Sequence, residues 1–283
     1  MDLYKEDIKK ALITRGKVFS PNDLKDIFAN YRQEWRMPGA ATHLNFIDFL
    51  VEQKKWLTSL TIPRGTRYVL QTEGTISAEY VASHIFTDTY LSHYSAVDFH
   101  GLTREIIKTV FTSREHSSAK YTDSAEMDQE RINYAFSKKM RKSNQYFEYN
   151  KQRIYLLSSK DGEIGIQSYN DLRVSTIERT LIDIAVRPEY CGGVYEVLNV
   201  FINAKGKFSA NKLRSFLLKL KYAYPYHQCI GFYLELAGYP ENIIKLFKNM
   251  SMKFDFYLTY NIENPEYNEN WRIYYPKNFA HTE

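Results

Sequence analysis

Residues 57 to 70 read Leu57-Thr58-Ser59-Leu60-Thr61-Ile62, then Pro63-Arg64-Gly65, then Thr66-Arg67-Tyr68-Val69-Leu70. Two runs of β-branched and apolar residues flank a Pro/Gly turn, the pattern of a β-hairpin. The chain before it carries a different period. Ile8, Ala11, Leu12 and Arg15 recur at helical spacing, and Gly16 follows where a helix would end. Ser20 stands as an N-cap with Pro21 at the first helical position. Leu24, Ile27, Phe28, Tyr31 and Trp35 then form the apolar stripe of a second helix that should stop before Pro38-Gly39. Thr42 caps a third, whose Leu44, Ile47, Leu50 and Val51 repeat the stripe through Trp56. Three helices followed by a two-stranded wing, over residues 1 to 72, predict a winged helix-turn-helix.

Such a unit binds duplex DNA by placing the first turn of its third helix in the major groove. That assigns Thr42, His43 and Asn45 to base edges. Lys54, Lys55, Arg64 and Arg67 would lie on phosphates, where each contact adds affinity and salt dependence without sequence information. Arg32 and Arg36 could assist. From Arg32 to Arg67 there are six basic residues against three acidic ones, but Asp48 and Glu52 sit one turn apart on the third helix and would repel phosphate if they faced it. Three helices and a hairpin also build protein-interaction modules, and basic residues near helix C-termini complement the helix dipole. Charge leaves both open.

The 283 residues, 44% hydrophobic and 25% charged, suffice for two domains. The fold class expected is α+β, an N-terminal winged helix-turn-helix followed by a larger mixed α/β domain over residues 77 to 283. No basic-then-apolar leader pattern occurs at the N-terminus, and no apolar run approaches the roughly 18 residues of a spanning helix, so a cytoplasmic protein without membrane contact is expected. Cys191 and Cys229 stand far apart without a CxxC pairing, as buried free thiols do. The net charge of +5 permits a polyanionic partner without requiring one.

In the second domain, Ser77 caps a helix with Tyr80, Val81, His84 and Ile85, and Thr89 is expected to cap another running to Phe99. Residues 106 to 112 read as strand, 128 to 140 as helix, and 145 to 149, 153 to 157, 164 to 169 and 172 to 174 as strands. Thr176 caps a helix carrying Ile177, Leu181 and Ile184, and Pro188 breaks it before Gly192-Gly193. Four more helices follow, near 193 to 203, 209 to 220, 226 to 237 and 240 to 249. Strands at 254 to 260 and 271 to 275 close the chain.

Three of these stretches occur in an order that resembles the AbiEi family, antitoxins of type IV toxin-antitoxin and abortive-infection systems. They are Tyr90-Leu91-Ser92-His93-Tyr94-Ser95-Ala96-Val97-Asp98-Phe99-His100-Gly101-Leu102, Val174-Ser175-Thr176-Ile177-Glu178-Arg179-Thr180-Leu181-Ile182-Asp183, and Cys191-Gly192-Gly193-Val194. Gly231-Phe232-Tyr233-Leu234-Glu235-Leu236-Ala237-Gly238 is similar to that family's late helix without its Arg-Leu-Gly form. The resemblance implies a repressor of its own operon acting at inverted repeats. It also implies a C-terminal domain that counteracts a nucleotidyltransferase toxin without a stable complex, and no catalysis of its own.

The residues of the second domain speak less directly. Glu178, Arg179 and Asp183 form the densest charged cluster of the motif; Arg179 and Asp183, four apart, can pair, with a contribution of about a few tenths of a kcal/mol if exposed. Glu178 and Asp183 stand about 140° apart around a helix and do not converge as a catalytic carboxylate pair. His93 and His100, with His84, could supply metal ligands, yet no HxxxH or cysteine accompanies them, and no metal or cofactor is expected. No GxSxG, P-loop or GxGxxG occurs. Asp161-Gly162-Glu163 is the nearest approach to a nuclease carboxylate pair, but a polar hairpin turn is the reading those residues favour. Lys138, Lys139, Arg141 and Lys142 are the centre of the most basic stretch, at what the spacing makes a helix C-terminus. They are either a solvated last turn or a surface for RNA. Besides antitoxin and autorepressor, two functions stay open: a stand-alone regulator with a ligand-sensing or dimerising C-terminal domain, and a metal-dependent nuclease.

Overall fold

Lys5–Arg15 (α1) ends as Gly16 donates its N–H to Leu12, and a short strand, Val18–Phe19 (β1), leads to Pro21–Tyr31 (α2). Helix α2 opens on a reciprocal capping box. The Ser20 hydroxyl accepts from the Asp23 N–H at 3.1 Å, and the Asp23 carboxylate accepts from the Ser20 N–H at 2.8 Å. His43–Asp48 (α3) continues into a π-helical turn, Phe49–Gln53, before the hairpin Leu57–Ile62 (β2) and Gly65–Leu70 (β3). Strand β1 pairs with β3, Val18 opposite Val69, so the hairpin becomes a three-stranded antiparallel sheet ordered β1-β3-β2. The two-residue β1 is too short to leave a periodic signal. The stripe of the third helix also differs from expectation: Phe46, Ile47, Phe49 and Leu50 are buried, whereas Leu44 is 65% exposed. Leu44 and Phe46 are about 200° apart on a helix, so only one can face the core.

The computed structural model describes residues 1–71, 74–115, 127–159 and 163–279, and within them the fold is α+β. After Ala78–His84 (α4) comes Tyr90–Leu91 (β4), then His93–Phe99 (α5), Thr109–Glu115 (β5) and Gln129–Phe136 (α6). The helix expected from Thr89 is therefore a strand followed by a shorter helix. Tyr90 and Leu91 are both fully inside and pair with β5 on one side and, at Leu91, with the strand preceding the next helix on the other. Ile106 is 89% exposed, and the strand expected from it starts at Thr109 instead. Helix α6 ends at Phe136, so residues 138 to 142 lie beyond it rather than in its last turn.

Tyr146–Tyr149 (β6), Gln152–Ser159 (β7), Ile166–Tyr169 (β8) and Leu172–Ser175 (β9) complete a six-stranded sheet ordered β6-β7-β5-β4-β9-β8. It is mixed: β5 runs parallel to β7 and β4 to β9, the other neighbours being antiparallel. Along β5 and β7, alternate residues face opposite sides. Val110, Ile154 and Leu156 share one apolar core with α4 and with the first 70 residues, through Leu12, Leu24, Phe46 and Val69. Phe111, Ser113, Tyr155 and Ser159 face the other way, where Phe111 meets Tyr190 at 5.6 Å.

On that side lies a helical layer of Ile177–Val186 (α7), Val194–Asn203 (α8), Ala210–Leu220 (α9), Tyr226–Leu236 (α10) and Glu241–Lys248 (α11), which together bury the larger core. A small sheet ordered β10-β12-β11 from Phe256–Tyr257 (β10), Pro265–Asn268 (β11) and Ile273–Pro276 (β12) closes the chain. Trp271, fully buried, lies flat on Gly231 of α10, where a Cβ would come within 2.1 Å of the indole. Its ring N–H donates to Glu235 at 2.7 Å, and the Gln228 amide donates to its carbonyl at 2.7 Å. Among the described residues no helix is long and apolar enough to cross a membrane.

Candidate functional site

The first turn of α3 stands at the surface. Thr42 and Asn45 are exposed, but they are occupied with one another. The Thr42 hydroxyl accepts the Asn45 N–H at 3.2 Å, and the Asn45 side-chain oxygen accepts the Thr42 N–H at 3.0 Å and its hydroxyl at 2.7 Å. Of these two, what stays available to a base edge is the Asn45 amide NH2. His43 and the exposed Leu44 flank it. Leu44, assigned to the core from its spacing, is thus an apolar group suited to a thymine methyl. Asp48 and Glu52 are exposed too, so the rest of this helix is acidic.

The four expected phosphate contacts divide. Arg64, at the tip of the hairpin, and Lys55, in a left-handed conformation at φ 53°, are exposed. Lys54 is turned inward: its ammonium pairs with Asp2 and sits 5.3 Å above the Phe49 ring. Arg67 is also committed. It donates to the carbonyls of Ile85 and Thr66 and stacks 4.6 Å over Phe86, whose ring Arg114 also covers at 4.2 Å. Burial lowers its pKa. A residue that ties the hairpin to the end of α4 is a strut, and its expected place on a phosphate is corrected accordingly. Arg32 donates to the Gly39 carbonyl at 3.4 Å, and Arg36 is exposed.

A second constellation forms where the C-terminal ends of β5 and β7 meet α7. The stretches 90 to 102 and 174 to 183, distant in sequence, meet there, Leu91 pairing with Val174 and His100 bonding the Ser175 carbonyl, while Cys191 and Val194 of the third stretch pack in the helical core with Val97 and Leu181. Tyr90 donates its hydroxyl to Ser159. Ser92 bonds Ser113 at 2.6 Å and His93 Nδ1 at 3.0 Å. His93 opens α5 at φ 48°, a left-handed conformation uncommon outside glycine, and its buried ring meets Tyr190 edge-on at 5.5 Å. Burial pulls its pKa down to about 4, with Asp183 opposing and Arg187 and Arg179 adding to the fall, so the imidazole is neutral at neutral pH.

Arg179, 1% exposed, donates through Nε to Asp183 Oδ1, through Nη1 to the Ile164 carbonyl and through Nη2 to Ser159 Oγ, each at 2.8 Å. The pair with Asp183 is therefore a buried one, not the exposed pair its spacing allowed, and removing one partner would strand the other's charge. Gly165, at φ 71°, lets the backbone pass this helix: a Cβ there would lie 2.7 Å from that of Arg179. Glu178 points away from the pair. Burial works against its charge, but hydrogen bonds from its own backbone and from Ser209, with Lys212 at 3.5 Å, hold it below the usual carboxylate range.

Between these groups lies a cavity of about 50 Å³. His93, Ser113, Arg179 and Asp183 form its buried floor; Ser158, Ser159, Arg187 and Tyr222 line its mouth. Asp183 Oδ2, fully buried, has no hydrogen-bond partner among the described residues. Composition and spacing gave no signal for this cavity, because its lining is drawn from five separate segments.

The basic segment lies beside it. Lys138, Lys139, Arg141 and Lys142 are all exposed; Lys138 sits 4.9 Å over Tyr134, itself 71% exposed, and Lys142 pairs with Glu189 at 3.2 Å. The Tyr190 hydroxyl accepts the Ser143 N–H at 2.7 Å, so the segment is pinned to the residue that packs on His93. The histidines considered as ligands do not converge. His84 bonds the Tyr80 carbonyl, His93 bonds Ser92 and His100 bonds the Ser175 carbonyl at 2.6 Å, and among the described residues no three metal-ligating side chains cluster. Asp161 and Gly162 lie outside the described residues; Glu163 is 3.7 Å from Arg173. Cys191 and Cys229 are buried free thiols, raised by burial.

No family model matches this sequence, and no curated protein does. Among solved structures, the crystal structure of RV2827C protein from Mycobacterium tuberculosis matches with a TM-score of 0.60 at 13% sequence identity, covering 97% of this chain and 92% of that one. At that identity the likeness is one of fold, and over nearly its whole length the chain is similar to that protein in fold.

Proposed function

We propose that this chain is the antitoxin of a type IV toxin-antitoxin system: it represses its own operon through an N-terminal winged helix and counteracts a nucleotidyltransferase toxin without binding it stably. The observation that carries this reading is that two of the stretches that resemble AbiEi antitoxins meet at the buried Arg179–Asp183 pair, with Leu91 paired to Val174 and His100 bonded to the Ser175 carbonyl, while Cys191 and Val194 of the third share a core with Val97 and Leu181. The DNA-binding part rests on the exposed first turn of α3, with His43, Leu44 and the Asn45 amide, flanked by Lys55 and Arg64. The acidic Asp48 and Glu52 restrict contact to that turn, which is where helix-turn-helix recognition helices meet bases.

Two measurements test it. In a gel shift, the chain should retard DNA from upstream of its own gene and contact inverted repeats as two copies related by a two-fold. In a growth assay, its expression should rescue cells producing the nucleotidyltransferase encoded beside it, without the two proteins co-purifying. Absence of rescue sinks the antitoxin reading; absence of a shift sinks the repressor. RNA is a further proposed contact, through Lys138, Lys139, Arg141 and Lys142.

A further inference from the structure

The sheet face that carries Ser113 and Ser159 is covered by the helical layer at one end only. Toward the other end, the strand register sets Phe111 opposite Tyr155 and Tyr155 opposite Tyr146, one ring on each of β5, β7 and the edge strand β6. Their centroids are 5.8 and 5.5 Å apart, and Tyr190, between α7 and α8, closes the row at 5.6 Å from Phe111. Phe111 and Tyr155 are half-buried and Tyr146 is exposed, so the row opens to solvent toward the edge. Cations border it on both sides. Arg153, exposed, holds its guanidinium 4.6 Å over the Tyr146 ring. On the other side Ser143 donates its N–H to the Tyr190 hydroxyl at 2.7 Å and its own hydroxyl to the Leu156 carbonyl at 3.0 Å, which brings the basic segment alongside β7. Lys142 is held there by Glu189, whereas exposed Lys139 and Arg141 have no ion pair among the described residues.

Rings in a row with free cations beside them match a chain of flat groups joined by anions. A protein partner would be met by an interface centre depleted of charge, whereas here Arg153 and Glu148, paired at 3.5 Å, stand next to the rings. Duplex nucleic acid keeps its bases stacked on one another and has none to lay on a tyrosine. An unpaired strand has them, and its bases stack on aromatic rings and guanidinium planes while its phosphates follow the cations. Glu148 would repel a phosphate but accepts a hydrogen bond from a ribose 2′-hydroxyl, the group that distinguishes RNA from DNA. We infer that this row is a stacking platform for single-stranded RNA, with bases on Tyr155 and on the Tyr146–Arg153 pair, phosphates on Lys139 and Arg141, and a 2′-hydroxyl on Glu148. The inference rests on the RNA contact proposed for residues 138 to 142 and supplies that contact with its base-binding half; it needs neither operator DNA nor the toxin.

Fluorescence anisotropy of labelled oligouridylate and oligoadenylate, each about ten nucleotides long, titrated with the full chain tests it. Both should bind, and oligodeoxythymidylate and duplex RNA of equal length should bind about fivefold more weakly or less. Tyr146→Leu and Tyr155→Leu should each weaken RNA binding about tenfold and leave its salt dependence unchanged, because a stacked base releases no counterion. Arg141→Gln should instead lower the slope of log affinity against log salt by about 0.7. Phe99→Leu, which alters an exposed ring packed on Tyr169 at the opposite edge of the same sheet, should change neither. If Tyr155→Leu fails to fold, Tyr146→Leu, at the exposed edge, decides alone. Binding that survives both tyrosine variants but is lost when Lys138, Lys139, Arg141 and Lys142 are all changed to Glu overturns the platform and leaves the RNA contact standing; no binding of RNA by the native chain overturns both. DNA or duplex bound as tightly as single-stranded RNA, or polyglutamate displacing the RNA as well as unlabelled oligouridylate does, also overturns the platform.

Discussion

His93 brings together a left-handed backbone, a buried ring and a depressed pKa, and the three have one measurable consequence. With its pKa at about 4 when folded and near 6.5 otherwise, the unfolded chain binds the extra proton between those values. The contribution of the neutral imidazole is then complete above about pH 6.5 and is lost as pH falls toward about 4, on the order of 3 kcal/mol in all. Glu178 acts in the same direction but only below its ordinary value of 4.5, whereas His100 and His227, also lowered by burial, act within the same interval as His93, so the difference between the native protein and a His93 variant is what isolates His93. Denaturant unfolding of the native protein should show stability falling over that interval. His93→Asn, which tolerates the left-handed conformation, should flatten the fall; parallel curves for the two proteins would exclude His93 as its origin. At the proposed DNA surface the same scale separates residues that charge alone cannot. Lys55→Gln and Arg64→Gln should each weaken binding uniformly across sequences and reduce the salt slope by about one. Arg67→Gln, which loses the Ile85 carbonyl and the face of Phe86, should instead lower the melting temperature. If Arg67→Gln flattens the salt slope without lowering stability, its assignment as a strut is wrong.

Elements with their own capping and periodicity could be read from the sequence, and those held by distant partners could not. Ser20, Thr42, Ser77 and Thr176 each accept the backbone N–H three residues on, so the starts of α2, α3, α4 and α7 were legible as local chemistry. Tyr90-Leu91 defeated that reading because two residues carry no period, and what makes them a strand is burial between β5 and β9. Strand β11 pairs with β12 through Glu266 and Tyr267, which alternate only with polar neighbours. The cavity was illegible for the same reason at larger range: the Arg179–Asp183 spacing was visible, but its burial depends on Tyr90, Ser159 and Ile164 arriving from elsewhere. The basic segment is a case where the element, not the composition, decides. Beyond the end of α6, Lys138 lies over Tyr134 and Lys142 pairs with Glu189, so exposed Lys139 and Arg141 are the cations for which a nucleic-acid contact is the proposed use. Reversing Lys138, Lys139, Arg141 and Lys142 to Glu should abolish rescue of toxin-poisoned cells while leaving the gel shift of operator DNA intact. Full rescue by that variant would remove RNA contact from the proposal.

At the scale of the whole molecule, the boundary placed between residues 72 and 77 separates the two proposed functions but not two cores. Leu12, Phe46, Leu57 and Val69 belong to the same apolar cluster as Ala82 and Ile85 of α4 and as Val110, Ile154, Leu156 and Val174 of the central sheet. Arg67 adds a polar tie across the junction. The proposed winged helix thus rests on one face of the sheet whose other face carries Ser113 and Ser159 at the cavity. A fragment of residues 1 to 71 would expose the apolar surface that packs on α4 and the sheet, at about 25 cal/mol for each Å² returned to water. It should melt well below the full chain, bind a hydrophobic dye and bind operator DNA weakly, while the full chain unfolds in a single calorimetric transition. Because the sheet is shared, a ligand that stabilises the cavity side should raise the protection of amide hydrogens in β2 and β3 as well as in β5 and β7, which hydrogen exchange can resolve strand by strand. A fragment as stable as the full chain, or protection confined to β5 and β7, would mean that the two faces fold and respond separately, and that nothing bound at one is felt at the other.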